Sequence, residues 1–206
     1  MLKQSLSQFP FIAILRGITP DEALEAGQIL FDAGFRAMEV PMNSPEPLKS
    51  IRILADAFGK TCSIGAGTLR TPAQVDAVKE AGGTLAVMAH TDPELIRHAA
   101  GTGFDVCPGI GTVSEAFAAL DAGACALKLF PAEMMPPNVM KAMGAVIPKE
   151  VTLVPVGGIG PETWQAYFEA GARAFGTGSS LYKTGMEMET LKTNAAAFAA
   201  SFKKGA

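Results

Sequence analysis

A short pattern, an acidic residue followed by Ala-Gly, recurs four times along the chain and each time precedes an apolar run. Its copies are Asp32-Ala33-Gly34, Glu80-Ala81-Gly82, Asp121-Ala122-Gly123 and Glu169-Ala170-Gly171. A glycine just past the last helical residue is a common way to end a helix, because glycine adopts the left-handed conformation without strain. The glycines at 34 and 82 lie 48 residues apart, as do those at 123 and 171. This spacing indicates a repeating β/α unit of about 20–25 residues.

Apolar runs that predict strands begin near residues 11, 37, 62, 84, 104, 124, 151 and 172, and helix signals separate them. For example, Thr19-Pro20-Asp21-Glu22 combines a capping residue, a first-turn proline and two acids. Strict alternation predicts a parallel sheet, and eight units predict a (β/α)8 TIM barrel, with a doubly wound open sheet as the alternative. Because no linker interrupts the pattern, we expect residues 1–206 to form a single α/β domain.

The bulk properties argue against nucleic-acid and membrane partners. The formal net charge is −3 over 206 residues, which predicts no basic binding surface. No apolar run approaches the ~18 residues of a transmembrane helix, and residues 1–10 lack the apolar core of a signal peptide. The three cysteines, Cys62, Cys107 and Cys125, form no CxxC pair and are interpreted as reduced, buried thiols. We therefore expect a cytoplasmic protein.

Metal and cofactor signals are equally sparse in the sequence. The two histidines, His90 and His98, form no HxH or HxxxH pair, and a carboxylate-bound Mg²⁺ has no motif behind it. Gly65-Ala66-Gly67 is not a dinucleotide fingerprint, because the third glycine would fall at Arg70. We therefore expect a reaction that uses neither a metal nor a cofactor.

A lysine lies inside one of the predicted strands. The apolar run from Ala124 to Phe130 is bounded by Gly123 and Pro131 and contains Lys128. Strands of a parallel sheet are covered on both faces, and burial of a lysine there would lower its pKa and yield a nucleophilic neutral amine. The alternative is a lysine at a strand end that extends its ammonium group to water.

Two further charged residues lie within or at the end of predicted strands. Arg16 ends the first strand and Glu39 lies in the second. Active sites of (β/α)8 barrels lie at the carboxyl ends of the strands, so Arg16, Glu39 and Lys128 can face one opening. Each alone could be a structural salt-bridge partner. Together they favour a site with a general base and a Schiff-base nucleophile.

Glycine-rich turns follow the last two predicted strands. They are Gly157-Gly158 and Gly176-Thr177-Gly178-Ser179. In barrels, the loops after strands seven and eight often bind phosphate through backbone N–H groups. Either turn alone would be interpreted simply as a tight turn. Their occurrence after both strands favours a phosphate-binding site.

The sequence resembles the class I 2-keto-3-deoxy-6-phosphogluconate and 6-phosphogalactonate (KDPG/KDPGal) aldolase family over essentially its whole length. The matching motifs are Ala13-Ile14-Leu15-Arg16-Gly17, Glu39-Val40-Pro41-Met42-Asn43-Ser44-Pro45, Gly65-Ala66-Gly67-Thr68, Leu127-Lys128-Leu129-Phe130-Pro131 and Val156-Gly157-Gly158. None of these motifs identifies the family on its own, but their combination does.

The resemblance implies a Schiff-base aldolase. Lys128 would attack the C2 ketone of a phosphorylated keto acid, and Glu39, through a water, would remove the C4 hydroxyl proton. The C3–C4 bond would then break to give glyceraldehyde 3-phosphate and, after hydrolysis of the enamine, pyruvate. By the same carry-over, Arg16 and Thr68 would hold the pyruvate end. Gly158, Gly178 and Ser179 would hold the phosphate group of the substrate. The resemblance also implies that the chain assembles as a homotrimer.

Two features bear on the substrate. Asn43-Ser44-Pro45 and Val156 resemble the phosphogalactonate branch, whereas the phosphogluconate branch tends to carry an arginine near the first and a threonine at the second. Met88-Ala89-His90 departs from the family's usual Ser/Thr-Pro turn after the fourth strand. Either the acceptor site is reshaped there, or His90 takes over a polar contact.

We therefore expect cleavage of 2-dehydro-3-deoxy-6-phosphogalactonate. The alternative within the class is cleavage of 2-dehydro-3-deoxy-6-phosphogluconate or 4-hydroxy-2-oxoglutarate. A sugar-phosphate isomerase or epimerase would need the phosphate loops but no strand lysine. In a non-catalytic sugar-phosphate binder, Lys128 would only be a salt-bridge partner of Glu39.

Overall fold

The structure, a computed structural model, describes residues 1–205 and alternates short strands with helices as the repeat predicts. The elements in chain order are α1 Leu2–Gln8, β1 Phe11–Ile14, α2 Pro20–Asp32, β2 Ala37–Pro41, α3 Pro47–Phe58, β3 Ser63–Gly67, α4 Pro72–Glu80, β4 Leu85–Val87, α5 Pro93–Gly101, β5 Asp105–Cys107, β6 Gly109–Ile110, α6 Val113–Asp121, β7 Ala126–Leu129, α7 Pro137–Gly144, β8 Thr152–Pro155, α8 Trp164–Glu169, β9 Phe175–Thr177 and α9 Met188–Gly205.

All strand pairs are parallel, which confirms the α/β class. Six strands form a curled sheet in the order β5-β4-β3-β2-β1-β9, and three form a small sheet in the order β6-β7-β8. The strands are thus divided between two sheets, rather than forming the single regular eight-stranded sheet that the sequence predicted. The fifth predicted strand, expected over Phe104–Cys107, is observed as β5. A two-residue strand that the sequence did not predict, β6, follows Pro108, which has no N–H to donate to a sheet.

One hydrogen bond and one bridge connect the two sheets. The Cys125 N–H, directly before β7, donates to the Val106 carbonyl of β5 at 3.0 Å. At the other edge, Val156 forms an isolated parallel bridge with Gly176. The strands of both sheets therefore run in the same direction.

Helix starts are set by the capping residues that the sequence displays. The Glu22 carboxylate accepts a hydrogen bond from the Thr19 N–H at 2.8 Å, which completes a capping box at the start of α2. At α6 the cap is Thr112, whose hydroxyl accepts from the Glu115 N–H at 3.2 Å. The sequence favours Ser114 as that cap, and this prediction is wrong because the helix begins at Val113, which makes Thr112, two residues earlier, the cap.

The inner face of the strands carries its own apolar cluster. Its members are Leu2, Leu6, Ile12, Ile14, Ala37, Leu85, Val87, Cys107, Ala126, Val154, Val156 and Ala174. Leu2 and Leu6 come from α1, a helix that the sequence did not predict. Asp105, the first residue of β5, accepts a hydrogen bond from the Leu2 N–H at 2.7 Å. The helix α1 therefore covers the amino ends of the strands and leaves the carboxyl ends open.

Within residues 1–205, no helix combines the length and the apolar character needed to cross a bilayer.

Candidate active site

Glu39 and Lys128 share the inner face of the strands. Side chains of a strand alternate between its faces, so Glu39 lies on the same face as Ala37 in β2, and Lys128 on the same face as Ala126 in β7. Both alanines belong to the inner apolar cluster. The structure therefore brings the predicted acid and the predicted nucleophile into one interior.

Both ionisable side chains are almost fully buried. Glu39 is 2% exposed and Lys128 is 5% exposed. Burial raises the pKa of Glu39 to about 7, an effect that the nearby charges of Lys128 and Arg16 partly oppose. Burial also lowers the pKa of Lys128, although the charge of Glu39 favours its ammonium form. Loss of solvation thus moves both groups toward their neutral forms.

The Glu39 carboxylate is held beside β3 by the absence of a side chain at position 67. A β-carbon placed on Gly67 would collide with the Glu39 carboxylate. Neither Glu39 nor Lys128 takes part in the salt bridges found in residues 1–205. Among the same residues, Glu39 Oε2 is also buried without a hydrogen-bond partner. An acceptor of this kind is available to bind a proton or a hydroxyl group.

Phe130 covers the amine of Lys128. Its ring centre lies 4.5 Å from Lys128 Nζ, and the side chain is partly exposed at the end of β7. The aromatic face stabilises the ammonium form while it limits the access of water. Phe130 was recognisable before the structure only as an aromatic residue two positions after the strand lysine.

Arg16 and Thr68 follow β1 and β3 at their carboxyl ends. The Arg16 guanidinium is exposed and donates to Asn43 Oδ1 at 2.7 Å. Thr68 has φ +59°, a left-handed conformation that is uncommon outside glycine. Strained residues of this kind occur often at functional sites. The turn after β2 therefore orients the arginine, and Thr68 is held in an unusual conformation.

A cavity of about 600 Å³ opens beside Phe130. It brings together Arg16, Gly158, Gly178 and Ser179, four of the residues predicted to bind substrate. Thr68 does not line it. The remaining walls are formed by Ile14, Phe130, Glu133, Val156, Gly157, Ile159, Ser180, Tyr182, Lys183 and Thr184. A larger groove, of about 960 Å³ between α2 and α9, contains none of the predicted site residues.

The profile of the family described as KDPG and KHG aldolase matches residues 2–196. The chain belongs to the KDPG and KHG aldolase family.

Several members of the family are similar to this chain in sequence and in structure. The chain is 46% identical to the 2-dehydro-3-deoxy-6-phosphogalactonate aldolase of Escherichia coli K12 over 198 residues, which cover 96% of this chain and 97% of that one. A solved structure described as native KDPGal superposes with a TM-score of 0.94 at 46% identity and covers 96% of each chain. A KDPG aldolase of Legionella pneumophila, solved with pyruvate captured as a covalent carbinolamine intermediate, superposes with a TM-score of 0.81 at 26% identity and covers 98% of this chain and 96% of that one.

Lys128 and Glu39 do not line this cavity, and neither do the cysteines and histidines of this family member. Cys62 and Cys107 are buried as expected, but Cys125, which lies just before β7, is exposed, so the prediction of a buried thiol is wrong at that position. Partial or full loss of solvation raises the pKa of Cys107 to about 12 and that of Cys125 to about 11, so both remain thiols at neutral pH. His90 is exposed after β4 and does not line the cavity. In residues 1–205, no three His, Cys, Asp or Glu side chains are grouped to hold a metal ion.

Proposed function

We propose that this protein is a Schiff-base aldolase that cleaves 2-dehydro-3-deoxy-6-phosphogalactonate to pyruvate and D-glyceraldehyde 3-phosphate. The observation that carries the proposal is the burial of Lys128, with its lowered pKa, on the same inner face as Glu39. A neutral amine attacks ketones, and the protonated imine that forms accepts the electrons of a breaking carbon–carbon bond. The name of the Escherichia coli relative supports the choice of substrate.

The reaction needs only the groups of this chain and water. The Lys128 amine adds to the C2 ketone and expels water, which leaves a protonated imine. Glu39, directly or through a water, takes the proton of the C4 hydroxyl, and the C3–C4 electron pair passes to the imine as the C4 aldehyde leaves. The resulting enamine is protonated at C3, and hydrolysis releases pyruvate and the free amine. Glu39, with a pKa near 7, can both accept and return a proton at neutral pH.

The substrate-binding residues of the proposal fall into two groups. Arg16 and Thr68 bind the pyruvate end, while Gly158, Gly178 and Ser179 bind the phosphate through backbone N–H groups and the serine hydroxyl. Support for the second group comes from the cavity, which all three residues line. Arg16 lines the same cavity, so it is also near enough to the phosphate group to favour anionic substrates.

Preference for the galactonate epimer is attributed to Val156. This residue lines the cavity beside Gly157 and brings only methyl groups to that wall. A threonine in its place would offer a hydroxyl to the C4 hydroxyl of the gluconate epimer. The gluconate epimer, or 4-hydroxy-2-oxoglutarate, is the second candidate, and Arg16 would serve either keto acid. The open turn at His90 is a further place where the acceptor site can differ from the family pattern.

The proposal also includes the setting of the site. We regard the two sheets as the wall of one (β/α)8 barrel and residues 1–206 as a single domain, because strands of both sheets contribute to one inner cluster. A cytoplasmic homotrimer that uses no cofactor is proposed on the strength of the family resemblance.

Borohydride reduction in the presence of pyruvate tests the reaction type. We expect a stable adduct that peptide mass spectrometry locates at Lys128, since reduction fixes the imine. The Lys128→Met variant serves as the control that cannot form it. If the mass of the wild-type protein is unchanged, the aldolase mechanism is refuted. The remaining alternatives are then a sugar-phosphate isomerase or epimerase and a non-catalytic sugar-phosphate binder.

A second experiment compares cleavage rates on the two C4 epimers. We expect kcat/KM to be higher for the phosphogalactonate epimer. A Val156→Thr variant should narrow that difference, because it supplies the missing hydroxyl. Faster cleavage of the phosphogluconate epimer by the wild type would reassign the substrate.

A further inference from the structure

We propose that Glu133 is a specificity-determining residue, whose carboxylate accepts a hydrogen bond from the hydroxyl on carbon C5 of the substrate. This inference rests on the proposed function and deepens it, because it assigns a contact to the part of the substrate between the imine and the phosphate.

The position of Glu133 in the cavity comes from the turn that follows the lysine strand. Residues Ala132–Met134 form a single 3₁₀ turn directly after Pro131. The Glu133 carboxylate lies against the α-carbon of Gly157, where a β-carbon would collide with it. A β-carbon on Gly158 would lie 3.3 Å from Glu133 Cγ. The glycine pair after β8 therefore gives this side chain its space in the cavity wall.

Two hydrogen bonds fix the backbone that carries Glu133. The Ala132 N–H donates to the Val156 carbonyl at 2.8 Å. The buried Tyr167 hydroxyl donates to the Ala132 carbonyl at 2.9 Å. The turn is thus attached to the residue after β8 and to α8, which fixes the backbone from which the exposed Glu133 side chain extends. A fixed backbone lowers the entropy cost of ordering the acceptor when a ligand binds.

The charges of the cavity identify which part of the substrate Glu133 meets. Arg16 and Lys183 are the cations of the wall, and Glu133 is its one acid. Within the described part of the chain, Glu133 takes part in none of the salt bridges. The Glu133 carboxylate lies nearer to Gly157 than to Gly158, the residue proposed to bind the phosphate. A phosphate dianion directly beside the carboxylate would be repelled, whereas a hydroxyl group donates to it favourably. The residue therefore suits a hydroxyl-bearing carbon and not the phosphate.

The order of groups along the site selects C5. Carbon C2 is bound to Lys128, and the phosphate on C6 is bound at Gly158 and Gly178, so C4 and C5 lie between them. The C4 hydroxyl gives its proton to Glu39 in the proposed reaction. The C5 hydroxyl is then left for the acid that lies beside the glycine loops, and that acid is Glu133.

The test uses the reverse reaction, in which pyruvate is joined to an aldehyde. D-Glyceraldehyde 3-phosphate supplies the hydroxyl that becomes the C5 hydroxyl, and 3-phosphooxypropanal lacks only that group. We expect the wild type to prefer the first aldehyde by ~10- to 100-fold in kcat/KM, which is the usual effect of a hydrogen bond to a charged group. The Glu133→Ala variant should lose this preference, and Glu133→Gln should keep part of it through the amide oxygen.

The outcomes separate the inference from the function on which it rests. Equal loss of activity on both aldehydes in Glu133→Ala, or a preference that the variant retains, overturns the role of Glu133. A wild type that joins pyruvate to neither aldehyde refutes the proposed function itself. The matched control is Glu169→Ala, an exposed glutamate at the end of α8 and outside the cavity, which should leave the preference unchanged.

Discussion

The carboxylate of Glu39 lies against the α-carbon of Gly67, in space that any side chain at position 67 would fill. The two residues face each other from adjacent strands, since Glu39 pairs with Gly65 and Pro41 pairs with Gly67 in the register of β2 and β3. A glycine on an inward-facing strand position weakens the strand, so its presence next to an acid has a reason. Here it lets the acid stay in the interior.

The Gly67→Ala variant should therefore lose the base and keep the nucleophile. Its methyl group would push the Glu39 carboxylate out of place, and we expect cleavage to slow by ~10²-fold, the range of general-base effects. Borohydride trapping of pyruvate should persist, because Lys128 is on another strand. Gly101→Ala is the matched control, since a β-carbon there meets nothing within 4 Å. Unchanged cleavage in Gly67→Ala would show that the base is not Glu39.

The pH profile of cleavage should report the ionisation of Glu39. The base must be deprotonated and burial raises its pKa to about 7, so kcat should rise with pH through that value. Glu39→Gln should remove this limb and reduce kcat by ~10²-fold or more while it still forms the pyruvate adduct. Rates measured from pH 5 to 9 test this, and a profile flat across pH 7 would contradict it.

The same ionisation should appear in stability with a defined sign. The folded protein binds the Glu39 proton more tightly than the unfolded chain does, with a pKa of about 7 against 4.5. The stabilising contribution of Glu39 is therefore complete below pH 4.5 and is lost as the pH rises through 7. Relative to the wild type, Glu39→Gln should become more stable from pH 4 to pH 8 in denaturant titrations.

Replacement of Lys128 by methionine should abolish catalysis without unfolding the protein. The side chain is 5% exposed, and burial of an amine that makes no salt bridge within residues 1–205 costs solvation energy in either protonation state. An apolar chain of similar length relieves that cost, so we expect a free energy of unfolding that is unchanged or higher. Thermal unfolding and the trapping assay measure the two effects. A strongly destabilised Lys128→Met would indicate a structural role for the lysine.

Much of the site followed from residue type and strand position. The Ala-Gly helix ends set the β/α repeat, and that repeat alone predicts that the strand carboxyl ends, with Arg16, Glu39 and Lys128, lie together. Period-two alternation then places Glu39 and Lys128 on the inner face. The division into two sheets did not follow, because it depends on which neighbouring strands complete their backbone hydrogen bonds rather than on hydrophobic pattern.

Other features depended on three-dimensional contacts that no local pattern encodes. Glu133 enters the cavity only because Gly157 leaves room for it, and the two residues are far apart in sequence. The helix α1 was missed because its seven residues mix serine and glutamine with only two buried leucines. Its stability comes from packing against the strand ends rather than from its own propensity.

Asn43 should contribute to substrate affinity through Arg16. Its side-chain oxygen accepts from the Arg16 guanidinium at 2.7 Å, which restricts an otherwise exposed and flexible side chain. Loss of this hydrogen bond in Asn43→Ala should raise KM by ~5- to 10-fold with little change in kcat, as expected for about 1 kcal/mol of preorganisation. Asn138→Ala, an exposed asparagine of α7, is the control. An equal fall in kcat would instead assign Asn43 to the chemical step.

The packing of α1 predicts a large effect far from the chemistry. Leu6 is 8% exposed and belongs to the same inner cluster as Ile14 and Val154. Leu6→Ala should therefore cost about 2–4 kcal/mol, the usual range for a buried leucine, and lower Tm by roughly 5–12 °C. Leu24→Ala is the matched control, because Leu24 is 55% exposed and its loss should change stability by no more than about 0.5 kcal/mol. Similar Tm values for the two variants would mean that α1 is not part of the cooperative fold, since a helix that unfolds separately cannot transmit the lost contact to the strands.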